Sequence, residues 1–314
     1  MSKIVQKFAQ STKLISLDGY FDEMVILYEK KIFPKVLLLN GKKGIGKFTL
    51  VFHFLNYIYS KGEKTNYNTE DKLINKHSNF YNSLLKKTCL DVIFLLAEEG
   101  KNIKIEDVRN LKSVLSRSSL SDSPRFTIID DVEFLNTNSA NALLKTLEEP
   151  TLNNYFILIN NQQANLLETI SSRCLKNNIY LNSNQRKKVI DHLVKINEIN
   201  ISIDKIGILT PGVLLSYAEL SEKYNVEEND DISTKIHKIL HAYKKDKNKL
   251  LISMSIFLVD QFFYILLNKN KNKIDFLLNI KSIIVDKIND FIMYNLNINS
   301  VLNSIELKLK NVRE

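Results

Sequence analysis

Lys47 ends the run Gly41-Lys42-Lys43-Gly44-Ile45-Gly46-Lys47, which follows the apolar stretch Val36–Asn40 and opens a helical pattern over 46–59. A strand, a glycine loop and a helix start, in that order, make a cradle for phosphate. Glycines let the backbone turn its N–H groups inward, the helix end adds positive potential, and the lysine neutralises phosphate oxygens. Gly41, Gly44, Gly46 and Lys47 are therefore candidate nucleotide contacts. The pattern breaks at the next position: the hydroxyl that ligates magnesium in such loops is replaced by Phe48 and reappears at Thr49. One residue is about 100° of helix rotation, so Thr49 reaches the usual metal position only with local distortion. The loop reads as a nucleotide-binding scaffold with damaged hydrolysis; a loop kept only for packing is the alternative.

A second chemical element is Arg125–Asp130, an apolar strand ending in the carboxylates Asp130 and Asp131. This is the form of a Walker B element. Asp130 is placed to hold magnesium through water. Asp131 stands where an ATPase carries the glutamate that positions attacking water, one methylene too short for it. A shortfall of roughly an ångström removes much of the rate where near-attack geometry is needed. Solvated strand-end carboxylates are the alternative.

These residues need a frame. Apolar runs at Val36–Asn40, 91–96, Arg125–Asp130, 155–160 and 178–181 alternate with helical patterns at 46–59, 105–117, 139–149 and 166–172, the third stopped by Pro150. That rhythm predicts an α/β domain over 1–182, a parallel sheet covered on both faces. Beyond it the strand signal stops. Pro211-Gly212 marks a turn in a small helical module over 183–235, and a larger helical bundle follows over 236–314, with polar or basic breaks at 225–231, 241–249 and 268–273. Segment 61–87 is either an irregular insertion or a helix without a clear period. The stretch 250–267 raises the question of a membrane, but Asp260 and Gln261 interrupt it, and Ser253, Asp260 and Asn268 share one narrow polar stripe; a buried bundle helix is expected, with no membrane partner.

With 44 Lys+Arg against 35 Asp+Glu the net charge is +9, which favours a polyanion partner; a Lys-rich solvated surface is the alternative. Few Gly (8) and Pro (4) beside many Lys, Asn and Ile point to genome composition as a source of some of that charge. A 44% hydrophobic, 25% charged chain is a cored protein, which excludes global disorder. The two cysteines, Cys89 and Cys174, are far apart and offer neither a disulfide framework nor a cysteine zinc site, so a reduced compartment is expected. The N-terminal MSKIVQKFAQSTKLISL has no continuous apolar core, so a cytoplasmic chain starting at Met1 is expected, not a secreted one.

Three strings carry a family resemblance: NALLKTLEEP (141–150), FILINN (156–161) and LLETISSRC (166–174). Together with the phosphate loop they resemble the clamp-loader branch of the AAA+ superfamily, within it the delta prime subunits of bacterial DNA polymerase III. The likeness is sharp over 91–181, clear over 36–50 and weak in the helical half. It implies an AAA+ P-loop domain, a small helical lid and a C-terminal helical collar. It also implies a part in loading a sliding clamp on primed DNA, beside a gamma/tau-like ATPase and a delta subunit in a polymerase (nucleotidyltransferase) holoenzyme. In the family the arginine of the SRC string leaves its own subunit for the γ-phosphate of a neighbour's ATP, so Arg173 inherits an arginine-finger role. Asn160 matches a sensor position, with a satisfied loop amide as its alternative, and Val213 stands near where related lids carry a sensing arginine. The loader's ATPase subunits share the strings, so an active ATPase using Lys47, Thr49, Asp130 and Asp131 is the alternative function; whether this chain is itself an enzyme stays open. Those subunits, and many delta prime chains, also carry a four-cysteine zinc module for which 61–87 has no thiols. ATP or ADP is a candidate cofactor, with magnesium only beside it, and no zinc or other protein-held metal is expected.

Overall fold

The computed structural model describes residues 11–86, 88–97, 102–116, 123–151, 153–197, 209–269 and 273–313. They divide into two compact units. The first takes those up to Asn197 with Thr210–Val213; the second takes Leu209 and those from Leu214 on.

The first unit is built on a five-stranded parallel sheet in the order β2-β3-β4-β1-β5, with β1 at Val36–Asn40, β2 at Val92–Leu96, β3 at Arg125–Asp130, β4 at Asn154–Asn160 and β5 at Leu175–Asn178. The inner strands read as near-continuous apolar runs because both faces are covered. Alternate side chains divide between two cores. Leu37, Leu39, Phe126, Ile128, Ile157 and Ile159 face one, under α1 (Asp18–Glu29), α2 (Lys47–Ser60) and α3 (Asn79–Lys86). Val36, Leu38, Ile129, Phe156 and Leu158 face the other, under α4 (Ile105–Leu115) and α5 (Thr137–Glu148). Asn136 caps α5 by accepting from the Ser139 N–H at 2.9 Å, and Pro150 holds Glu149 out of helical geometry. The short α6 (Glu168–Ser171) leads into β5, and α7 (Ser183–Ile196) closes the unit.

The α/β plus helical architecture is as expected, with differences in detail. The fifth strand lies at Leu175–Asn178, not 178–181, because Ile179 turns into the core after pairing its N–H with Asn40 at 2.8 Å, and three of the four pairing residues of this edge strand, Lys176, Asn177 and Asn178, are polar. Helix α1, outside the expected elements, buries Phe21 and Met24 and rests Val25 and Tyr28 against the same core. Position 117, expected in α4, lies outside the described residues.

Segment 61–87 combines both of its readings. Irregular chain is pinned by the bridge between Asn68 and Leu73 and by buried Tyr67 and Ile74, and α3 follows. The carboxylate of Glu63 caps that helix, accepting from Asn79 N–H at 2.7 Å and Phe80 N–H at 3.1 Å.

In the second unit, α8 (Pro211–Lys223), whose first turn belongs to the first unit, precedes α9 (Ile232–Asp246), α10 (Lys249–Lys269), α11 (Ile274–Met293) and α12 (Ile298–Arg313). The last four pack as a bundle, each on two of the others. Leu277, Ile280, Ile284, Ile288 and Phe291, spaced three and four apart, give α11 its buried stripe. The break expected over 241–249 shrinks to Lys247 and Asn248, because Ala242 and Tyr243 continue the buried face of α9 while its lysines stay outside. Of the break expected at 268–273, residues 268 and 269 still belong to α10 and 270–272 lie outside the described residues. Helix α10 is long and apolar enough to cross a membrane, but Leu251, Met254, Val259 and Phe263 enter the bundle core and Asp260 pairs with Lys281 of α11 at 2.7 Å.

Candidate functional site

The sheet register sets Asn40 beside Asn160, and Asp130 beside Ile159, so β1, β3 and β4 end together. Crevices at carboxyl ends of parallel strands are where such sheets take ligands. The phosphate loop wraps over this edge. Gly41 is required by a close approach: a Cβ there would sit 2.3 Å from the Ile179 carbonyl oxygen. Gly44 has φ +80, a left-handed turn open to glycine, and a Cβ would meet Thr210 Oγ1 at 2.6 Å. Gly46, at φ +98, starts α2.

The loop satisfies its own polar groups. Lys47, only 2% exposed, donates from Nζ to the carbonyl oxygens of Gly41 (2.6 Å) and Lys42 (2.8 Å). Burial pulls its ammonium down to about 8, against the pull of the Asp130, Glu133 and Asp131 carboxylates. The apex is covered by Thr210, whose hydroxyl donates to the Lys43 carbonyl at 2.6 Å, and by Gly212, whose N–H donates to the Gly44 carbonyl at 2.7 Å. Val213 adjoins this contact on the first turn of α8. Phe48 is buried in the core, its ring stacked on Phe94 with centroids 5.8 Å apart, while Thr49 lies half-buried one position along α2.

The acidic strand end is also internally satisfied. Burial, then the Asp131 charge, pushes Asp130 up to about 6; hydrogen bonds from Asn161 and the Asp131 N–H, and the charge of Lys47, oppose the rise. Asn161 donates from Nδ2 to Asp130 Oδ1 (2.8 Å) and Asp131 Oδ1 (2.7 Å). Asp131, held at φ +55, also accepts from Gln163 Nε2 at 2.9 Å and faces Lys43 at 3.7 Å. Glu133, 6% exposed, accepts from the N–H groups of Asn161 (3.0 Å) and Gln163 (3.2 Å). Asn160 points elsewhere: it donates to Asn40 Oδ1 at 2.9 Å and accepts from Gln162 N–H at 3.0 Å.

Thus Gly41, Gly44, Gly46, Lys47, Asp130 and Asp131 converge, Thr49 lies beside them, and Asn160 touches neither carboxylate. Sequence reasoning missed Asn161, Glu133 and Gln163. Adjacent residues at a strand end point to opposite sides, and the Asn160-Asn161 pair carries no mark of which one turns to the carboxylates. The residues do not fit a magnesium nucleotide as arranged: Phe48, at the sequence position of the metal-binding hydroxyl, turns into the core and supplies no ligand, and Lys47 and Asp131 are engaged by protein partners. Among the described residues, no group of three or more His, Cys, Asp or Glu side chains is placed to hold a metal.

Arg173 lies away from this edge, just past α6. Its Nε donates to Glu148 Oε1 at 2.6 Å, Nη2 pairs with the same oxygen, and Nη1 donates to the Thr169 carbonyl at 2.8 Å and to Ser172 Oγ at 3.3 Å. The side chain is 31% exposed. Cys174 is a packed thiol, half-buried, donating to the Ile170 carbonyl and pushed up to about 11 by burial.

Residues 20–183 match the family described as "DNA polymerase III, delta subunit". DNA polymerase III subunit gamma of Buchnera aphidicola subsp. Acyrthosiphon pisum is 31% identical over 121 residues, 38% of this chain and 31% of the relative. DNA polymerase III subunit delta' is 40% identical over 67 residues in Haemophilus influenzae (21% of this chain, 20% of the relative) and 26% identical over 147 in Escherichia coli K12 (46% and 42%). The matched segments span less than half of these relatives. Among solved structures, a gamma subunit-related protein of Thermotoga maritima is similar at TM-score 0.47 and 19% identity, over 93% of this chain and 96% of that one. The family match covers more than half of the chain, from α1 to the start of α7, and takes in the phosphate loop, the acidic strand and the LEEP and SRC strings: the chain belongs to the DNA polymerase III, delta subunit family.

Proposed function

We propose that the chain is a delta-prime-like subunit of a DNA polymerase III clamp loader. It assembles beside an ATPase subunit and a delta subunit in the cytoplasm, helps place the sliding clamp on primed DNA, and offers Arg173 in trans without hydrolysing ATP itself. The observation that carries this reading is Phe48, which stands at the sequence position of the metal-binding hydroxyl and stacks on Phe94 in the core. The engaged state of Lys47 supports it, since phosphates would have to displace two loop carbonyls to reach the ammonium. On this reading the fold is used as an AAA+ domain over 1–182, a lid over 183–235 and a collar over 236–314.

The second reading, an active gamma-like ATPase, is favoured by the similarity to the Buchnera gamma subunit. Steady-state phosphate release by the purified chain, with and without primed DNA, separates the two. The expected result is no turnover above background. Turnover near the ~1 s⁻¹ lower edge of ordinary enzymes, abolished by Lys47→Ala, establishes the ATPase instead.

A further inference from the structure

A guanidinium has five N–H donors, and four of those of Arg173 are already engaged within its own subunit. The charged partner among the acceptors is Glu148, the last residue of α5. A carboxylate at a helix C-terminus faces the negative end of the helix dipole and is out of place there unless a cation answers it. Arg173 does so, and it also satisfies the Thr169 carbonyl at the end of α6.

We propose that Glu148 is the positioning residue for Arg173, holding the guanidinium on its own subunit so that engagement of a neighbour's polyphosphate exchanges the carboxylate for phosphate oxygens. This rests on the reading of Arg173 as acting in trans. The two engagements exclude each other, because Nε and Nη2 form one edge of the planar fork and both are turned to Glu148 Oε1. The exchange is like for like. Charge-assisted hydrogen bonds to a carboxylate give way to charge-assisted hydrogen bonds to phosphate. With Arg173 31% and Glu148 46% exposed, the pair is reached by solvent and its hold is weak, as a contact broken at each engagement requires.

The test is DNA-stimulated ATP hydrolysis by the reconstituted loader, with MgATP as the titrant. Glu148→Gln should lower the ATP concentration for half-maximal rate by about 1.5- to 5-fold, the range an exposed ion pair commands, with kcat retained. Glu148→Asp, which keeps the charge, should move KM back towards wild type, and Glu148→Gln should have no effect in an Arg173→Ala background. A fall in kcat at unchanged KM, a KM shift that persists without Arg173, or no shift in a loader that Arg173→Ala does impair each overturns the proposal. Full activity of the Arg173→Ala loader overturns the trans reading itself, and the proposal falls with it.

Discussion

The phosphate loop with its acidic strand end and the corner that carries Arg173 lie in one unit, yet their polar groups are treated in opposite ways. At the loop Lys47, Asp130, Asp131 and Glu133 are largely withdrawn from solvent and answered from inside: Lys47 by Gly41 and Lys42, Asp130 and Asp131 by Asn161, Glu133 by the backbone of Asn161 and Gln163. At the corner the guanidinium sits at the solvent edge on one exposed carboxylate. Internal satisfaction makes a polar cluster part of the fold, whereas an exposed, weakly held arginine contributes little to stability and remains available to a partner. On the proposed reading the loop has the form of a catalytic site but serves as structure, and the corner looks like surface but carries the chemistry.

The sharpest way to break that contrast is Arg173→Ala in the reconstituted loader. An arginine finger contributes about 10³–10⁵ where one site dominates. With several sites sharing the work, DNA-stimulated hydrolysis should fall by between ten- and a thousandfold, and clamp loading with it. The melting temperature should stay within a degree or two, since the lost pair is worth about 0.2–1 kcal/mol. Arg173→Lys should recover little, because a point charge does not reproduce the planar fork. Unchanged hydrolysis in an assembled complex would return the corner to mere surface.

The loop side is tested by stability against pH. Asp130 titrates at about 6 in the folded chain against 3.8 unfolded, so the fold favours its protonated form. Stability from this group is present below pH 4 and lost as pH rises through 6. Asp130→Asn keeps an oxygen for Asn161 and the Asp131 N–H while removing the buried charge. The variant should be more stable than the parent at pH 7–8, by up to about 3 kcal/mol, with the difference closing towards pH 4. Urea unfolding at the two pH values measures it. A variant less stable at pH 8 would mean that the carboxylate is held for a cation and not merely tolerated.

Much of this was legible beforehand. Val36–Asn40 and Arg125–Asp130 announce themselves because inner parallel strands are near-continuous apolar runs, and the glycine spacing of the loop is dictated by backbone geometry. Edge and cap features left weaker traces. β5 is polar at three of its four pairing positions, and α1 buries fully only Phe21 and Met24. The partners of the key groups were out of reach of sequence reasoning for a different reason. Asn161 with Asp130, and Glu148 with Arg173, are separated by 31 and 25 residues and meet only through the topology of the sheet.

The smallest expected effect lies in segment 61–87, where the resemblance would lead one to look for a zinc module. Here the chain is fastened by other means: Tyr67 and Ile74 are buried, the Tyr67 N–H donates to Ser60 Oγ at 2.9 Å, and Glu63 caps α3. A carboxylate at a helix N-terminus satisfies donors that have no partner within the helix and meets the positive end of the dipole. Glu63→Ala should therefore lower stability by about 1 kcal/mol, in the range of a lost cap, whereas Glu63→Gln, which keeps an acceptor oxygen, should lose less. Chelators should leave the melting temperature of the parent unchanged, and elemental analysis should find no stoichiometric zinc. A chelator-sensitive melt, with Glu63→Ala neutral, would show that a metal and not the capped helix fastens this segment, through ligands such as His53, His77 and carboxylates. His53 argues against that outcome. It is fully buried, its Nδ1 is 2.9 Å from the Tyr67 hydroxyl and its Nε2 is 3.0 Å from the Ser11 carbonyl oxygen, so both ring nitrogens are already engaged. Burial also holds its ionisation down to about 4, so the imidazole is neutral at working pH and serves the core as a packed, hydrogen-bonded ring.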